Sequence, residues 1–171
     1  MNNLVKKGIQ ALGKQLSLTG ERLTRLASDT SSIHSVNSEL DVFLTEGYKN
    51  INEARLNHLA TLNLPLEGKR VLEVGAGIGL HTHFFEEQEC KITSTDGRRE
   101  NVDAMRKNFP NRDIRLFNLL DFDSYSGFEQ FDVIYCYGTL YHTPKPKEIL
   151  EGLSFLCREM ILLETCVSIG T

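Results

Sequence analysis

Apolar residues recur at helical spacing from about residue 39 onward, until Pro65 and Gly68 interrupt the pattern. This spacing places their side chains along one face of a helix. We therefore expect one or two helices that end before residue 65. The apolar positions that define this face are Leu40, Phe43, Leu44, Tyr48, Ile51, Leu56, Leu59 and Leu62.

From residue 70 onward, short runs typical of β-strands alternate with helical stretches. The first run, residues 70–74, leads into a glycine-rich turn at 75–79 and then into a helix through Thr82 and Phe85. Strands that alternate with helices build a parallel sheet with helices on both faces. We therefore expect a doubly wound α/β fold whose ligand lies at the carboxyl ends of the strands, where strand order reverses. The further strands are expected at 91–95, 114–119, 131–137 and 160–164, and the further helices at 98–108 and 146–156.

Composition is that of one ordinary folded domain, and charge changes this picture only at the start of the chain. The 171 residues have a net charge of −4, which argues against a surface that follows a nucleic-acid backbone. Residues 1–26 carry +4, so the remainder carries −8. We expect a basic helical extension at 1–38 before a core at 39–171. This extension is either a helix for a partner or a membrane surface, or a cap helix or loosely ordered terminus.

Cysteine and histidine positions favour a reduced, metal-free protein. The four cysteines lie far apart and form no zinc-type cluster. His81 and His83 are two positions apart, and such neighbours do not face each other on a helix.

No apolar run is long enough to span a membrane, and the first residues lack the pattern of a signal peptide. We expect a soluble, cytoplasmic protein.

The glycine turn and the acid after it indicate a nucleoside-containing ligand. Without Cβ atoms at Gly75, Gly77 and Gly79, a ligand can lie against the main chain. Asp96 follows Gly75 by 21 positions, where a carboxylate can accept from both hydroxyls of an adenosine ribose. Leu80 stands where a dinucleotide motif needs its last glycine. The spacing therefore disfavours a nicotinamide-dependent oxidoreductase and favours a ligand without a pyrophosphate.

Four segments together resemble the class I S-adenosylmethionine-dependent methyltransferases, of the type that acts on small molecules. Val71–Gly79 resembles motif I of this family, and Thr95–Arg98 resembles the acidic end of its second strand. Leu120–Phe122 and Phe131–Gly138 resemble the turn after strand three and strand four. The resemblance covers roughly residues 50–165 and implies a Rossmann-like fold with S-adenosylmethionine as cofactor.

The resemblance also implies roles for individual residues. The backbone at Gly75 and Gly77 would meet the methionine end of the cofactor, and Asp96 its ribose. Asp121 would accept from the adenine amino group, although a solvated loop acid is the alternative for this residue. Glu73 would orient either the turn or the cofactor amino group. The implied cofactor-binding set is Glu73, Gly75, Ala76, Gly77, Gly79, Asp96, Gly97, Asp121, Phe122 and Tyr137.

The segment after the fourth strand lies on the substrate side in similar methyltransferases. His142 could take a proton from a substrate hydroxyl or amine, or it could be a structural residue that bonds the following loop. Tyr137 could line the methyl-transfer face or pack in the core. The implied reaction is methyl transfer to an oxygen or nitrogen of a small molecule, and nucleic acid is a poor substrate because no matching motif follows strand four.

Only five strands are expected before Thr171, whereas the family that the chain resembles has seven. We therefore expect the last two strands to be missing, which leaves the strand at 160–164 as a sheet edge. An oligomer or further chain would cover that edge. The alternative to an enzyme is a non-catalytic module that binds S-adenosylmethionine or a partner, or a fragment of a longer methyltransferase.

Overall fold

The computed structural model of the protein describes residues 40 and 42–167. The chain divides into two units, residues 1–45 and 46–171. The described part of the first unit contains a 3-10 helix at Val42–Leu44. The expected basic extension at 1–38, and its boundary with the core, lie outside the described residues.

The second unit alternates helices and strands in the order that the sequence predicts. Its strands are β1 (Arg70–Val74), β2 (Lys91–Asp96), β3 (Asp113–Leu116), β4 (Phe131–Tyr137) and β5 (Cys157–Glu164). Its α-helices are α1 (Glu46–Thr61), α2 (Thr82–Glu86), α3 (Arg99–Asn108) and α4 (Pro146–Leu156). Two 3-10 helices follow β3 and β4, at Phe122–Gly127 and Leu140–His142.

The five strands form one parallel sheet in the order β3-β2-β1-β4-β5. The chain builds from β1 outward to β3 and then returns to the other side of β1 with β4. Strand order therefore reverses between β1 and β4, and their carboxyl ends flank the crevice where sheets of this kind bind ligands. The predicted doubly wound α/β fold class is confirmed.

Side chains that alternate along each strand fill two separate layers. Leu72 and Ile134 point into one layer and pack with α4. Val71 and Val133 point into the opposite layer, where Leu59 from α1 joins the same cluster together with α2. Because side chains along a strand have a period of two, every second residue of β1, β4 and β5 belongs to this α1–α2 layer.

Two strand boundaries differ from the sequence prediction by three residues each. β3 ends at Leu116, so the predicted continuation to residue 119 is wrong. The side chain of Asn118 accepts a hydrogen bond from Leu120 N–H at 3.0 Å, a local turn that ends the strand although Leu119 stays buried. β5 begins at Cys157, earlier than predicted, because it pairs with β4 from Phe131 onward.

β5 pairs only with β4 within the described residues, so its outer edge lies open there. Leu163 and Val167 are exposed near this edge. The expected cover by an oligomer or by further strands stays a prediction. None of the helices in the described part of the chain is long and apolar enough to cross a membrane.

Candidate functional site

The glycine turn lies between the carboxyl end of β1 and α2. Gly75, Gly77 and Gly79 have φ angles of +69°, +60° and +79°, a region that residues with a Cβ rarely adopt. A Cβ on Gly75 would overlap the side chain of Thr139, which follows β4. This close approach brings the ends of β1 and β4 together where strand order reverses.

Three amide N–H groups of the turn donate hydrogen bonds inside the protein. Ala76 donates to Thr95 O and Gly79 donates to Ala76 O, both at 2.9 Å. Gly77 donates to Asp96 Oδ2, also at 2.9 Å. α2 spans only five residues, too few for a strong dipole at its start. The turn therefore offers few donors to a pyrophosphate and suits a ligand without one.

Asp96 ends β2 beside the glycine turn, and its buried carboxylate is largely occupied by the protein. Oδ2 accepts from Gly77 N–H, and Oδ1 accepts from Arg98 N–H at 2.8 Å and from Asn101 Nδ2 at 3.1 Å. A carboxylate has about four acceptor positions, so roughly one remains for a ligand. This count fits one ribose hydroxyl rather than the two that the sequence led us to expect.

Glu73 lies beneath the turn and is almost completely buried. Its Oε2 accepts from the hydroxyls of Thr82 at 2.6 Å and Ser94 at 2.7 Å. Burial raises the pKa of Glu73, while these two hydroxyls act in the opposite direction. The contacts link β1 to α2 and β2, which favours the role of orienting the turn over contact with a cofactor amino group.

The residues expected near an adenine ring lie on two neighbouring loops. A Cβ on Gly97 would be 3.6 Å from Phe117 O, so the loop after β2 runs against the segment after β3. Asp121 and Phe122 follow in that segment and are both exposed. The Phe122 ring stacks on Tyr125 with centroids 5.9 Å apart. This part of the site presents a carboxylate to solvent, beside a partly exposed Phe122 ring that has Lys145 Nζ 5.9 Å from its centroid.

Tyr135 and Tyr137 lie at the carboxyl end of β4, and both side chains belong to the α1–α2 layer. Their rings stack with centroids 4.4 Å apart, and the Tyr135 hydroxyl lies 2.9 Å from His81 Nδ1. Burial, together with the nearby charge of Arg55, lowers the pKa of His81 to about 3. Burial raises the pKa of Tyr135. His81 and Tyr135 therefore form a neutral hydrogen-bonded pair at neutral pH.

A polar group that the sequence did not predict surrounds Arg55, and we name it the Arg55 cluster. Arg55 Nη2 lies 2.8 Å from Glu164 Oε2, at the end of β5. The hydroxyls of Tyr48 and Tyr141 also lie near the guanidinium, which covers Gly138, where a Cβ would be 2.9 Å from Nη2. The members of the cluster are Tyr48, Asn52, Arg55, His81, Tyr141 and Glu164.

A sequence signal for part of this cluster exists on α1. Tyr48 and Leu59 belong to the apolar face of the helix, and Asn52 and Arg55 fall between them at the same spacing of three to four residues. Asn52 is buried, and only 14% of the Arg55 side chain is exposed. Polar residues in register with an apolar face were therefore the sign of a buried polar site.

His142 lies in the 3-10 helix after β4 and is exposed. Its ring packs against Tyr141 with centroids 4.2 Å apart. The described residues provide no hydrogen-bond partner for this ring. No contact therefore supports the alternative, in which His142 is a structural residue that bonds the following loop. In residues 40 and 42–167, no three His, Cys, Asp or Glu side chains are grouped to hold a metal ion.

Fold and site together define a Rossmann-like α/β domain, and comparison with known proteins gives its family. A family model described as a methyltransferase domain matches residues 72–159, just over half of the chain. The match begins in β1 and ends in β5, so it includes the glycine turn, Asp96 and His142. The chain belongs to the methyltransferase domain family.

Curated relatives include several ubiquinone biosynthesis O-methyltransferases. The protein of that name from Actinobacillus pleuropneumoniae serotype 7 is 30% identical over 115 residues, which cover 63% of this chain and 49% of the relative. The one from Aeromonas salmonicida is 25% identical over 111 residues, with 63% and 47% covered. The chain thus spans about half the length of the curated relatives it matches.

Solved structures agree with the fold. The N-terminal domain of EvdMO1, crystallised with S-adenosylhomocysteine bound, has a TM-score of 0.50 and 24% identity over 62% of this chain and 46% of that one. The PH0226 protein from Pyrococcus horikoshii has a TM-score of 0.51 and 16% identity over 64% and 50% of the two chains. The sequence-based assignment to a methyltransferase fold is confirmed.

Proposed function

We propose that the protein binds S-adenosylmethionine at the carboxyl ends of β1, β2 and β4 and transfers its methyl group to an oxygen or nitrogen of a small molecule. The hydrogen bond from Gly77 N–H to Asp96 carries this proposal, because it holds the glycine turn and a buried carboxylate side by side. The family match and the S-adenosylhomocysteine bound to the EvdMO1 domain support this choice of ligand.

The residues present fit this cofactor, whose sulfonium group supplies an electrophilic methyl group when bound. The acceptor position left on Asp96 suits one ribose hydroxyl. Asp121 would accept from the adenine amino group, and the exposed ring of Phe122 would pack against the base. The turn, with its positive φ angles at Gly75 and Gly77, would lie against the methionine end.

An oxygen of a small molecule is the favoured acceptor, because the curated relatives are named as O-methyltransferases of ubiquinone biosynthesis. Holding two reactants in line can contribute roughly 7–11 kcal/mol, so positioning alone can supply much of the catalysis. His142, exposed after β4, is the proposed proton acceptor, and Tyr137 would line the methyl-transfer side. The net charge of −4 argues against a nucleic-acid substrate.

The cytoplasm is the proposed compartment. Cys90, Cys136, Cys157 and Cys166 are all free thiols. Free thiols persist in reducing compartments, where disulfides are rare.

Calorimetry of the full chain with S-adenosylhomocysteine and with NAD tests the proposal. We expect S-adenosylhomocysteine to bind and NAD to release no heat, because the turn offers few donors to a pyrophosphate. NAD binding without S-adenosylhomocysteine binding would refute the proposal that S-adenosylmethionine is the cofactor. Transfer of label from S-adenosylmethionine to hydroxylated small molecules then separates an enzyme from a non-catalytic module.

A further inference from the structure

Arg112 lies in the loop between α3 and β3, and every nitrogen of its guanidinium is engaged. Nε and Nη2 each donate to one carboxylate oxygen of Glu86 in α2, both at 2.6 Å. Nη1 donates to Gly79 O, at the end of the glycine turn, at 3.4 Å. The guanidinium also lies over the Phe109 ring, with Cζ 3.8 Å from the ring centroid, and only 13% of the side chain is exposed. One side chain thus joins the turn, α2 and the end of α3.

The position of α2 depends on contacts of this kind. The helix spans only Thr82–Glu86, and its start has no side-chain cap. So short a helix is not stable alone, because the cost of forming its first turn is not recovered over five residues. At its start, Thr82 donates to Glu73 beneath the glycine turn. At its end, the pair with Arg112 fixes the orientation of Glu86, because two parallel hydrogen bonds hold a carboxylate in one plane.

The glycine turn packs on the surface of α3 that Arg112 covers. A Cβ on Gly79 would lie 3.2 Å from Met105 Sδ and 3.5 Å from Arg112 Nη1. Ala76, earlier in the turn, and Phe109, under the guanidinium, both pack against one buried apolar cluster, which consists of Val102, Met105 and Ile114. The turn is therefore in contact with α3 near both of its ends.

α3 also holds the carboxylate of the proposed cofactor site. Asn101, in the first turn of α3, donates to Asp96 Oδ1 at 3.1 Å, and Gly77 N–H donates to Asp96 Oδ2 at 2.9 Å. Asn101 and Phe109 are eight residues apart in the sequence, or about 12 Å along a helix. The glycine turn is thus tied to Asp96 at the start of α3 and to Arg112 at its end. Both ties together fix the spacing between the turn and the carboxylate.

A second arginine shows what is particular to Arg112. Arg115 also donates to one carboxylate with two nitrogens, at 3.0 and 2.7 Å from the oxygens of Asp113, and it lies over the ring of Phe128. Exposed ion pairs of this kind stabilise proteins only weakly. The contacts of Arg115 lie within β3 and the segment before β4, whereas Arg112 has a third nitrogen on the main chain of the glycine turn.

We propose that Arg112 is a positioning residue of the S-adenosylmethionine site, which holds the glycine turn and α2 against α3 at the spacing from Asp96 that the ligand requires. This inference rests on the proposed function. Arg112 acts through Gly79 and Glu86 rather than by touching the ligand. Arginine suits the role because its planar fork binds a carboxylate with two nitrogens and keeps a third for a carbonyl, which the single ammonium of lysine does not.

Calorimetry of the full chain with S-adenosylhomocysteine, at a temperature at which each variant is fully folded, tests this role. We expect Arg112→Gln to weaken binding about three- to thirtyfold, a range usual for residues that act on a binding site without touching the ligand. Glu86→Gln should weaken binding in the same direction, and it serves if Arg112→Gln does not fold. The double variant should bind no more weakly than Arg112→Gln alone, because the two side chains act as one unit. Arg112→Lys should recover only part of the loss.

The matched control is Arg115→Gln, which should leave the affinity within about twofold of the wild type. A lower Tm with wild-type affinity in both Arg112→Gln and Glu86→Gln would overturn the inference, because it would show a role in stability alone. Equal weakening by Arg115→Gln would overturn it as well. In either case, binding of S-adenosylhomocysteine by the wild type still supports the proposed function. If the wild type does not bind this ligand, both the inference and the proposed function fail.

Discussion

Replacing Asp96 with asparagine should destabilise the fold, although the two side chains have almost the same shape. Both carboxylate oxygens of Asp96 face donors: Gly77 N–H at Oδ2, and Arg98 N–H with Asn101 Nδ2 at Oδ1. An amide has only one acceptor oxygen. Whichever side receives the NH₂ group, two donors then face each other inside the protein.

The cost follows from the number of hydrogen bonds lost. In the better orientation, the amide oxygen keeps the two donors at Oδ1, and the bond from Gly77 is lost. A hydrogen bond to a charged group contributes about 1.5–3 kcal/mol, and the two bonds that remain lose their charge assistance. We expect a loss of about 2–3 kcal/mol of unfolding free energy. For a chain of this length, this lowers Tm by roughly 4–12 °C.

Thermal and urea unfolding of Asp96→Asn measure this loss, and Asp121→Asn is the control. Asp121 is exposed, and its side chain makes no cap hydrogen bond to the 3-10 helix that follows it. We expect the control to stay within about 0.5 kcal/mol of the wild type. Equal midpoints for the two variants would refute the reasoning. Ligand affinities of Asp96 variants must therefore be compared at equal folded fraction.

Lowering the pH from about 7 towards 4 should reduce the unfolding free energy, because unfolded His81, with a pKa near 6.5, takes up a proton that the folded ring, with a pKa of about 3, does not. Unfolding free energies from urea titrations at each pH should fall less steeply with decreasing pH for His81→Gln than for the wild type. Gly75→Ala should lower the unfolding free energy by more than the about 1–3 kcal/mol of a strained φ, because the new Cβ overlaps Thr139. Adding Thr139→Gly to this variant should restore only the part of the loss that comes from the overlap. Gly47→Ala on α1 should instead raise Tm, by the equivalent of about 0.5–1 kcal/mol, since outside its own stretch of helix none of residues 40 and 42–167 has an atom within 4 Å of its Cβ; no rise in a thermal melt would contradict this.

The glycine turn and the strands around it could be predicted because their signals are local. An apolar run at 70–74 followed by Gly75, Gly77 and Gly79 already defines a strand, a turn and a helix start in the sequence. The end of β3 could not be predicted in this way, because the apolar pattern continues to Leu119. The strand ends at Leu116, and the Asn118 side chain then accepts from Leu120 N–H in a local turn, which the hydrophobic pattern does not contain.

The Arg55 cluster was missed for a different reason. Arg55 and Glu164 lie more than 100 positions apart, and although Arg55 is in register with the apolar face of α1, nothing near it in the sequence indicates Glu164 as its partner. They meet because α1 packs on the face of the sheet toward which the Glu164 side chain points, at the end of β5. β5 lies next to β4 in the sheet. Pairs of this kind depend on strand order, which the sequence pattern constrains only loosely.

Strand order and strand period together explain why the polar groups gather on one side of the sheet. Along β4, Val133 lies in the α1–α2 layer, and a period of two places Tyr135 and Tyr137 in the same layer. The same rule adds Glu73 on β1 and Glu164 on β5, the latter paired in register with Tyr137. The side chains that β1, β4 and β5 direct into this layer are thus apolar near the amino ends of the strands and polar near their carboxyl ends. A substitution near the amino ends of these strands should therefore act through packing, whereas one near their carboxyl ends should act on the ligand site.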